Sequence, residues 1–221
     1  MIFRLFSFIA TGSILAFASP VQAAYVTPQM GGGQVEMMSG APMKHLDVSF
    51  DGTDLSVHID ETVATPWLRP LTPPDEFDPA QPWSVLSDKS YNFQYGWNSS
   101  GFISLPENSG IWIELLETNE ELETFARPPA NEPSYSPLFQ NVGDTWQWTG
   151  SMTHNAYAVL DPAQSSYSAT YRVYIGDATT GELLDDYGSD EVTLMFQATP
   201  VPEPSSLTGL AIFFLMSRRR R

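Results

Sequence analysis

Apolar and polar residues alternate at period two through the middle of the chain, where the first two runs are 48–50 and 55–59. Since successive side chains of a strand point to opposite faces, each run predicts a strand with one buried face. Asp51-Gly52-Thr53-Asp54 lies between the two runs and is typical of a turn, so together they predict a β-hairpin. The same alternation returns in five later runs: 93–97, 111–115, 146–149, 167–175 and 192–198.

Helical periodicity is missing from the sequence. No window repeats its apolar residues every 3.6 positions between helix caps, so little helix is expected. Two proline-rich stretches, 66–82 and 128–137, are predicted to be long loops, because proline cannot donate a hydrogen bond to a sheet. About eight short strands in one compact body predict an all-β fold, a single β-sandwich domain over residues 44–200.

The first residues of the chain have the features of a secretory signal peptide, predicted over 1–23. Residues 1–4 carry one positive charge, 5–18 are apolar, and Val21-Gln22-Ala23 supplies the small residues that signal peptidase accepts. We expect cleavage between Ala23 and Ala24, because the apolar run is too short for a comfortable membrane anchor. The Gly- and Met-rich segment 24–43 is predicted to be a flexible lead-in to the sandwich.

The C-terminal segment 201–221 combines three features. Pro202, Glu203 and Pro204 form a rigid, non-helical tripeptide, and an apolar run follows at 207–216. Arginines after such a run hold the terminus on the cytoplasmic side of a membrane while the apolar residues enter the bilayer. The run is about half as long as a membrane-spanning helix, so inefficient insertion is expected. The chain ends with Arg218, Arg219, Arg220 and Arg221.

These three features closely resemble the PEP-CTERM sorting tag of exported bacterial proteins. The resemblance implies cleavage by a membrane-embedded exosortase, in bacteria that make extracellular polysaccharide. It also implies that the C-terminal segment is a membrane anchor until it is cleaved. The chain is therefore expected in the cell envelope, at the cell surface or in the extracellular matrix, with signal peptidase and exosortase as processing partners and polysaccharide as a further partner.

The net charge and the lack of cysteine exclude several classes of partner and of metal site. The chain has 26 acidic and 10 basic residues, which gives a net charge of −16. Five of the basic residues and one acidic residue lie in the two terminal segments, so the body has 25 acidic and 5 basic residues and a net charge of −20. Such a body is repelled by nucleic acid and by anionic membrane surfaces. The chain has no cysteine, which excludes disulfides, iron–sulfur clusters and thiolate zinc sites.

Familiar catalytic motifs are missing as well. The sequence has no Gly-x-Ser-x-Gly, no His-Glu-x-x-His and no phosphate-binding glycine loop. Five glutamates cluster within 114–123, and paired carboxylates are what a glycosidase uses as its acid and its nucleophile or base. Runs of charge are more often simply solvated. We therefore predict a protein that is not an enzyme, with a carbohydrate-active role as an alternative.

The three histidines offer a different chemistry. His45 and His58 flank the predicted hairpin, so pairing of its strands would bring both side chains onto one sheet, and His154 stands just before a later strand. Neutral imidazole and carboxylate are suitable zinc ligands. His45, His58 and His154, together with Asp47, therefore form a candidate zinc site. The alternative is that each histidine lies singly in a polar part of a strand.

Short segments of the body match a second family. Ile111-Trp112-Ile113 and His154-Asn155-Ala156-Tyr157-Ala158, with other short matches across roughly 44–198, resemble choice-of-anchor M domain proteins. That group is similar to zinc-repressed PEP-CTERM proteins of cyanobacteria. The resemblance implies His45 and His58, with His154, as zinc ligands and a role in metal acquisition at the envelope. The family often has His-x-His before this strand, and here the earlier position is Met152.

The sequence therefore predicts one leading function and two alternatives. The first is a non-catalytic binding or structural β-sandwich at the cell surface or in the extracellular matrix. The second is a zinc-binding surface protein in metal acquisition. The third is a carbohydrate-binding or carbohydrate-active protein.

Overall fold

The computed structural model describes residues 24–29, 31, 42–127 and 135–201; the predicted signal peptide and the tripeptide, apolar run and arginines of the sorting tag lie outside them. Within these ranges the chain forms fourteen strands, one short 3-10 helix at Pro82–Leu86 and no α-helix. No helix in this part of the chain is long and apolar enough to cross a membrane. The strands are β1 (Tyr25–Val26), β2 (Lys44–Phe50), β3 (Leu55–Ile59), β4 (Trp67–Leu68), β5 (Glu76–Phe77), β6 (Lys89–Asn92), β7 (Tyr95–Ser99), β8 (Ser109–Thr118), β9 (Glu123–Phe125), β10 (Pro137–Leu138), β11 (Thr145–Trp148), β12 (Ala156–Leu160), β13 (Ser166–Asp177) and β14 (Asp190–Ala198).

Two layers of sheet form a sandwich, so the predicted fold class is confirmed. One layer is a five-stranded sheet in the order β11-β8-β13-β14-β4. The other layer consists of a three-stranded sheet, β3-β2-β7, and a four-stranded sheet, β10-β9-β12-β6. Only Phe93 and Gln94 separate β6 from β7 along the chain. Beside them, Trp97 and Thr153 exchange two backbone hydrogen bonds of 2.9 Å, which join the two smaller sheets.

The main core between the layers follows the period-two pattern of the sequence. Along β14, every second residue from 192 to 198 is buried and the residues between them are exposed. The Phe196 ring lies 5.2 Å from the ring of Tyr95 and 5.0 Å from that of Tyr157, which brings β14, β7 and β12 together. Tilted and T-shaped aromatic pairs add about 0.5–1.5 kcal/mol each beyond the area that they bury. Aromatic packing thus stabilises a chain that has no cysteine.

A second apolar cluster lies on the other face of the four-stranded sheet. Ala156 and Ala158 of β12 contribute to this cluster, whereas Tyr157 and Val159 contribute to the main core. This sheet is therefore buried on both faces, and four consecutive residues of β12 are buried. The rest of the second cluster is mostly aromatic: Phe77, Leu86, Tyr91, Phe93, Phe125 and Tyr135.

The proline-rich stretch 66–82 covers this second cluster and is mostly loop, as predicted. The prediction was wrong at β4, which pairs with β14, and at β5, which pairs with β1 inside the predicted lead-in segment. Strands can form here because the residues between the prolines keep their N–H groups and a proline carbonyl can still accept a hydrogen bond. The Pro66 carbonyl, for example, accepts a hydrogen bond of 2.8 Å from the Gln197 N–H. Most of the second proline-rich stretch, residues 128–134, lies outside the described residues. Its last residue, Pro137, pairs with Phe125 in the edge strand β10, so the loop prediction is wrong there as well.

Candidate functional site

Strand β2 carries two of the predicted ligands on its outer face. Leu46 and Val48 are fully buried in the main core. His45 and Asp47 alternate with them along the strand and are only partly buried. Since neighbouring side chains of a strand point to opposite faces, His45 and Asp47 lie on the side of the sheet away from the core.

The strands on either side of β2 place the other groups of this outer face. His45 is beside Gly96 of β7, and Asp47 is beside Asn98 of β7 and opposite His58 of β3. Residues that are directly opposite in a ladder share a face of the sheet. The hairpin prediction is therefore correct in placing His45 and His58 on one sheet, and they share its outer face.

His154 reaches the same face from the segment that precedes β12. Its imidazole lies directly over Gly96: a Cβ added at Gly96 would stand 2.5 Å from Nε2 of His154 and closer still to Cε1. The Nδ1 atom of His154 is 2.8 Å from the carbonyl oxygen of Phe93. Because a carbonyl only accepts, Nδ1 carries the proton and donates it to Phe93, which leaves an unshared electron pair on Nε2 of the neutral ring.

The His154 and His45 rings are neighbours. Their centroids are 6.3 Å apart and their planes are inclined at 63°. The Nε2 atoms of both rings are buried, and neither has a hydrogen-bond partner. Buried polar atoms are nearly always hydrogen-bonded, so two such nitrogens on adjacent imidazoles require an explanation.

Burial dominates the electrostatics of this pair. Desolvation lowers the pKa of His154 below its ordinary value, and the nearby His45 and Arg127 add to this shift. The Phe93 carbonyl and, to a smaller extent, the Tyr95 backbone act against it. Since a histidine ordinarily titrates near pH 6.5, His154 is neutral at pH 7. A neutral imidazole is the form that binds a metal ion.

The other two predicted ligands have different neighbours. His58 is exposed to solvent, and Asp47 accepts a hydrogen bond of 2.8 Å from Nδ2 of Asn98. Within the described ranges, no three His, Asp or Glu side chains are grouped so that they could hold one metal ion. The structure thus brings His45 and His154 together but does not assemble the predicted four-residue set. The physical reason is that His58 lies opposite Asp47 rather than beside Gly96.

Two determinants of the pair were missed by sequence reasoning. Gly96 provides the space for the His154 ring, and the Phe93 carbonyl fixes its tautomer. Gly96 stands between Tyr95 and Trp97, and a glycine inside a strand often marks a close approach by another group. That signal was present in the sequence, whereas a backbone carbonyl leaves none.

Three of the five glutamates that suggested a glycosidase have separate partners. Glu114 forms an ion pair with Arg172, and Glu121 accepts a hydrogen bond of 2.9 Å from the Tyr167 hydroxyl. Glu123, also on the surface, forms an ion pair with Lys89 across the four-stranded sheet. These contacts give three of the five glutamates a structural role.

Two clefts lie elsewhere on the part of the chain that the structure describes. One of about 430 Å³ is lined by the proline-rich stretch and β5. Another of about 580 Å³ lies beside β11, where Phe102 is 94% exposed while Trp148 is buried and donates to the Ser151 carbonyl. Neither cleft is lined by His45 or His154.

The chain was compared with protein families, curated proteins and solved structures. No family model, curated protein or solved structure matches it.

Proposed function

We propose that the chain is an exported cell-surface or extracellular-matrix protein whose β-sandwich is a non-catalytic binding or structural module. The observation that carries the proposal is that several acidic side chains make structural hydrogen bonds and ion pairs. Asp51 and Asp177 hold turns by accepting backbone N–H bonds, and Glu114 and Glu123 pair with basic residues of neighbouring strands. These four carboxylates therefore stabilise turns and strands of the sandwich.

Export and sorting belong to the same proposal. The signal peptide predicted at 1–23 and the PEP-CTERM-like segment 201–221 support processing by signal peptidase and exosortase, with the membrane as a temporary anchor. The net charge of −20 between these segments favours solubility in a hydrated polysaccharide matrix.

Intact-mass measurement of the protein recovered from the surface of its host tests this proposal. The expected mature chain begins at Ala24, ends near Pro202 to Ser205 and lacks the four C-terminal arginines. A surface protein that retains the full C-terminal segment would contradict exosortase processing. One that retains residues 1–23 would contradict signal cleavage.

A second candidate function is zinc binding at the cell surface, in metal acquisition. One specific observation favours it: His45 and His154 are adjacent, and both Nε2 atoms are buried without a partner. Metal analysis of dialysed protein, before and after equilibration with zinc, separates this function from a purely structural one.

A further inference from the structure

The outer face of β2 and β7 holds an unexplained pair of buried nitrogen atoms. We propose that His45 and His154 bind one late first-row transition-metal ion, such as zinc, through their Nε2 atoms, without His58 or Asp47. The proposal rests on the second candidate function and gives it a defined ligand set.

The hydrogen bond of His154 is the first argument. Metal-binding histidines almost always donate their other ring N–H to a carboxylate, a water or a backbone carbonyl, which fixes the ring and its tautomer. His154 makes this contact through Nδ1 to the Phe93 carbonyl at 2.8 Å. Its Nε2 is therefore an acceptor, and the side chain is only 2% exposed. A buried acceptor without a partner costs free energy, and a metal ion would remove that cost.

The spacing of the two rings is the second argument. A zinc–nitrogen bond is about 2 Å long and a ring nitrogen lies about 1 Å from the ring centre, so two imidazoles on one ion have centres up to about 6 Å apart. That maximum applies to ligands on opposite sides of the ion, whereas two imidazoles on a tetrahedral ion have centres about 5 Å apart. The centroids of His45 and His154 are 6.3 Å apart, so the two rings must approach each other by about 1 Å when a tetrahedral ion binds.

The glycine beneath the ring is the third argument. Any side chain at position 96 would occupy the space of the His154 imidazole, and the nearest ring atoms include Nε2. Gly96 is also the register partner of His45, so it is adjacent to both proposed ligands. The missing side chain thus leaves the space that the His154 ring occupies beside His45.

The coordination number of zinc defines what else the ion would carry. Zinc is ordinarily four-coordinate, so two protein ligands leave two positions for water or an added ligand.

The test compares zinc binding by the purified full chain with that of three single variants, H45Q, H154Q and H58Q, by calorimetry and by metal content after dialysis. We expect one zinc per wild-type chain, at least tenfold weaker binding by H45Q and H154Q, and unchanged binding by H58Q. H58Q is the matched control, because His58 is exposed and lies opposite Asp47.

The outcomes distinguish the ligand assignment from the function. If wild-type protein binds zinc but H58Q weakens binding as much as H45Q, or H154Q has no effect, the assignment is wrong and the zinc function stands. If wild-type protein binds no zinc, the zinc function itself is wrong. Circular dichroism checks the fold of each variant.

Should H154Q fail to fold, imidazole ¹⁵N spectra of wild-type protein decide the question. Zinc should shift the Nε2 signals of His45 and His154 and leave His58 unchanged. A shift at His58 alone would overturn the proposal.

Discussion

Replacing Gly96 by alanine perturbs the pair of histidines with a single methyl group. Gly96 lies in β7 with φ outside the left-handed region, so alanine is compatible with its backbone. The new Cβ would stand 2.5 Å from Nε2 of His154 in the unrelaxed structure, well inside van der Waals contact. Either the imidazole or the strand must therefore move.

The magnitude follows from two opposing effects. Overpacking a well-filled site costs about 1–3 kcal/mol. Replacing glycine where the backbone already suits alanine returns about 0.4–1 kcal/mol, through the lower entropy of the unfolded chain. We therefore expect Gly96→Ala to reduce the free energy of unfolding by about 1–2 kcal/mol, and zinc binding to weaken because the His154 ring is displaced.

Urea unfolding of a double-mutant cycle provides the assay. The clash involves the His154 ring, so Gly96→Ala should cost much less in a His154→Ala background, with a coupling free energy of about 1 kcal/mol or more. If Gly96→Ala is as stable as wild type, or costs the same with and without the imidazole, the proposed position of the ring is wrong.

Three further predictions concern the core, the response to acid and one edge of the sandwich. Phe196→Ala should lower the free energy of unfolding by about 3–5 kcal/mol, whereas Phe102→Ala, at a position 94% exposed, should change it by less than about 0.5 kcal/mol in the same urea titration. Burial lowers the pKa of His154 in the folded protein, so the unfolded chain takes up a proton at this residue at a higher pH than the folded chain does. Metal-free protein should therefore lose stability as the pH falls below about 6.5. Thermal melts across that range should show a weaker pH dependence for His154→Gln, and an unchanged dependence would contradict the assignment to this residue. Asp190→Ala removes the carboxylate that accepts a hydrogen bond of 2.8 Å from the Val57 N–H, and it should lower the free energy of unfolding by about 0.5–1.5 kcal/mol. Hydrogen exchange at the Val57 amide should accelerate, and unchanged exchange would refute the role of this bond.

The fold class could be predicted because the alternation of apolar and polar residues that marks each long strand is a local feature of the sequence. Period-two alternation marks β14 and β13, where buried and exposed residues follow one another along each strand. The same signal failed at β4, whose two residues lie among prolines and pair with a strand far along the chain. Short strands of this kind depend on tertiary contacts, which local periodicity does not contain.

The histidine pair could be predicted only in part. The hairpin pattern correctly places His45 and His58 on one sheet, because β2 and β3 are adjacent in sequence. The contact between His45 and His154 requires the parallel pairing of β2 with β7 and the backbone bonds of Thr153 to Trp97. Both are long-range, and no local pattern specifies their register.

Anomalous diffraction from a zinc-soaked crystal, measured at the zinc absorption edge, would locate a bound ion relative to His45 and His154. We expect one anomalous peak about 2 Å from the Nε2 atoms of both His45 and His154. The Nδ1 atom of His154 should remain bonded to the Phe93 carbonyl, as it is at 2.8 Å. A peak at His58 and Asp47, with none between His45 and His154, would contradict the account.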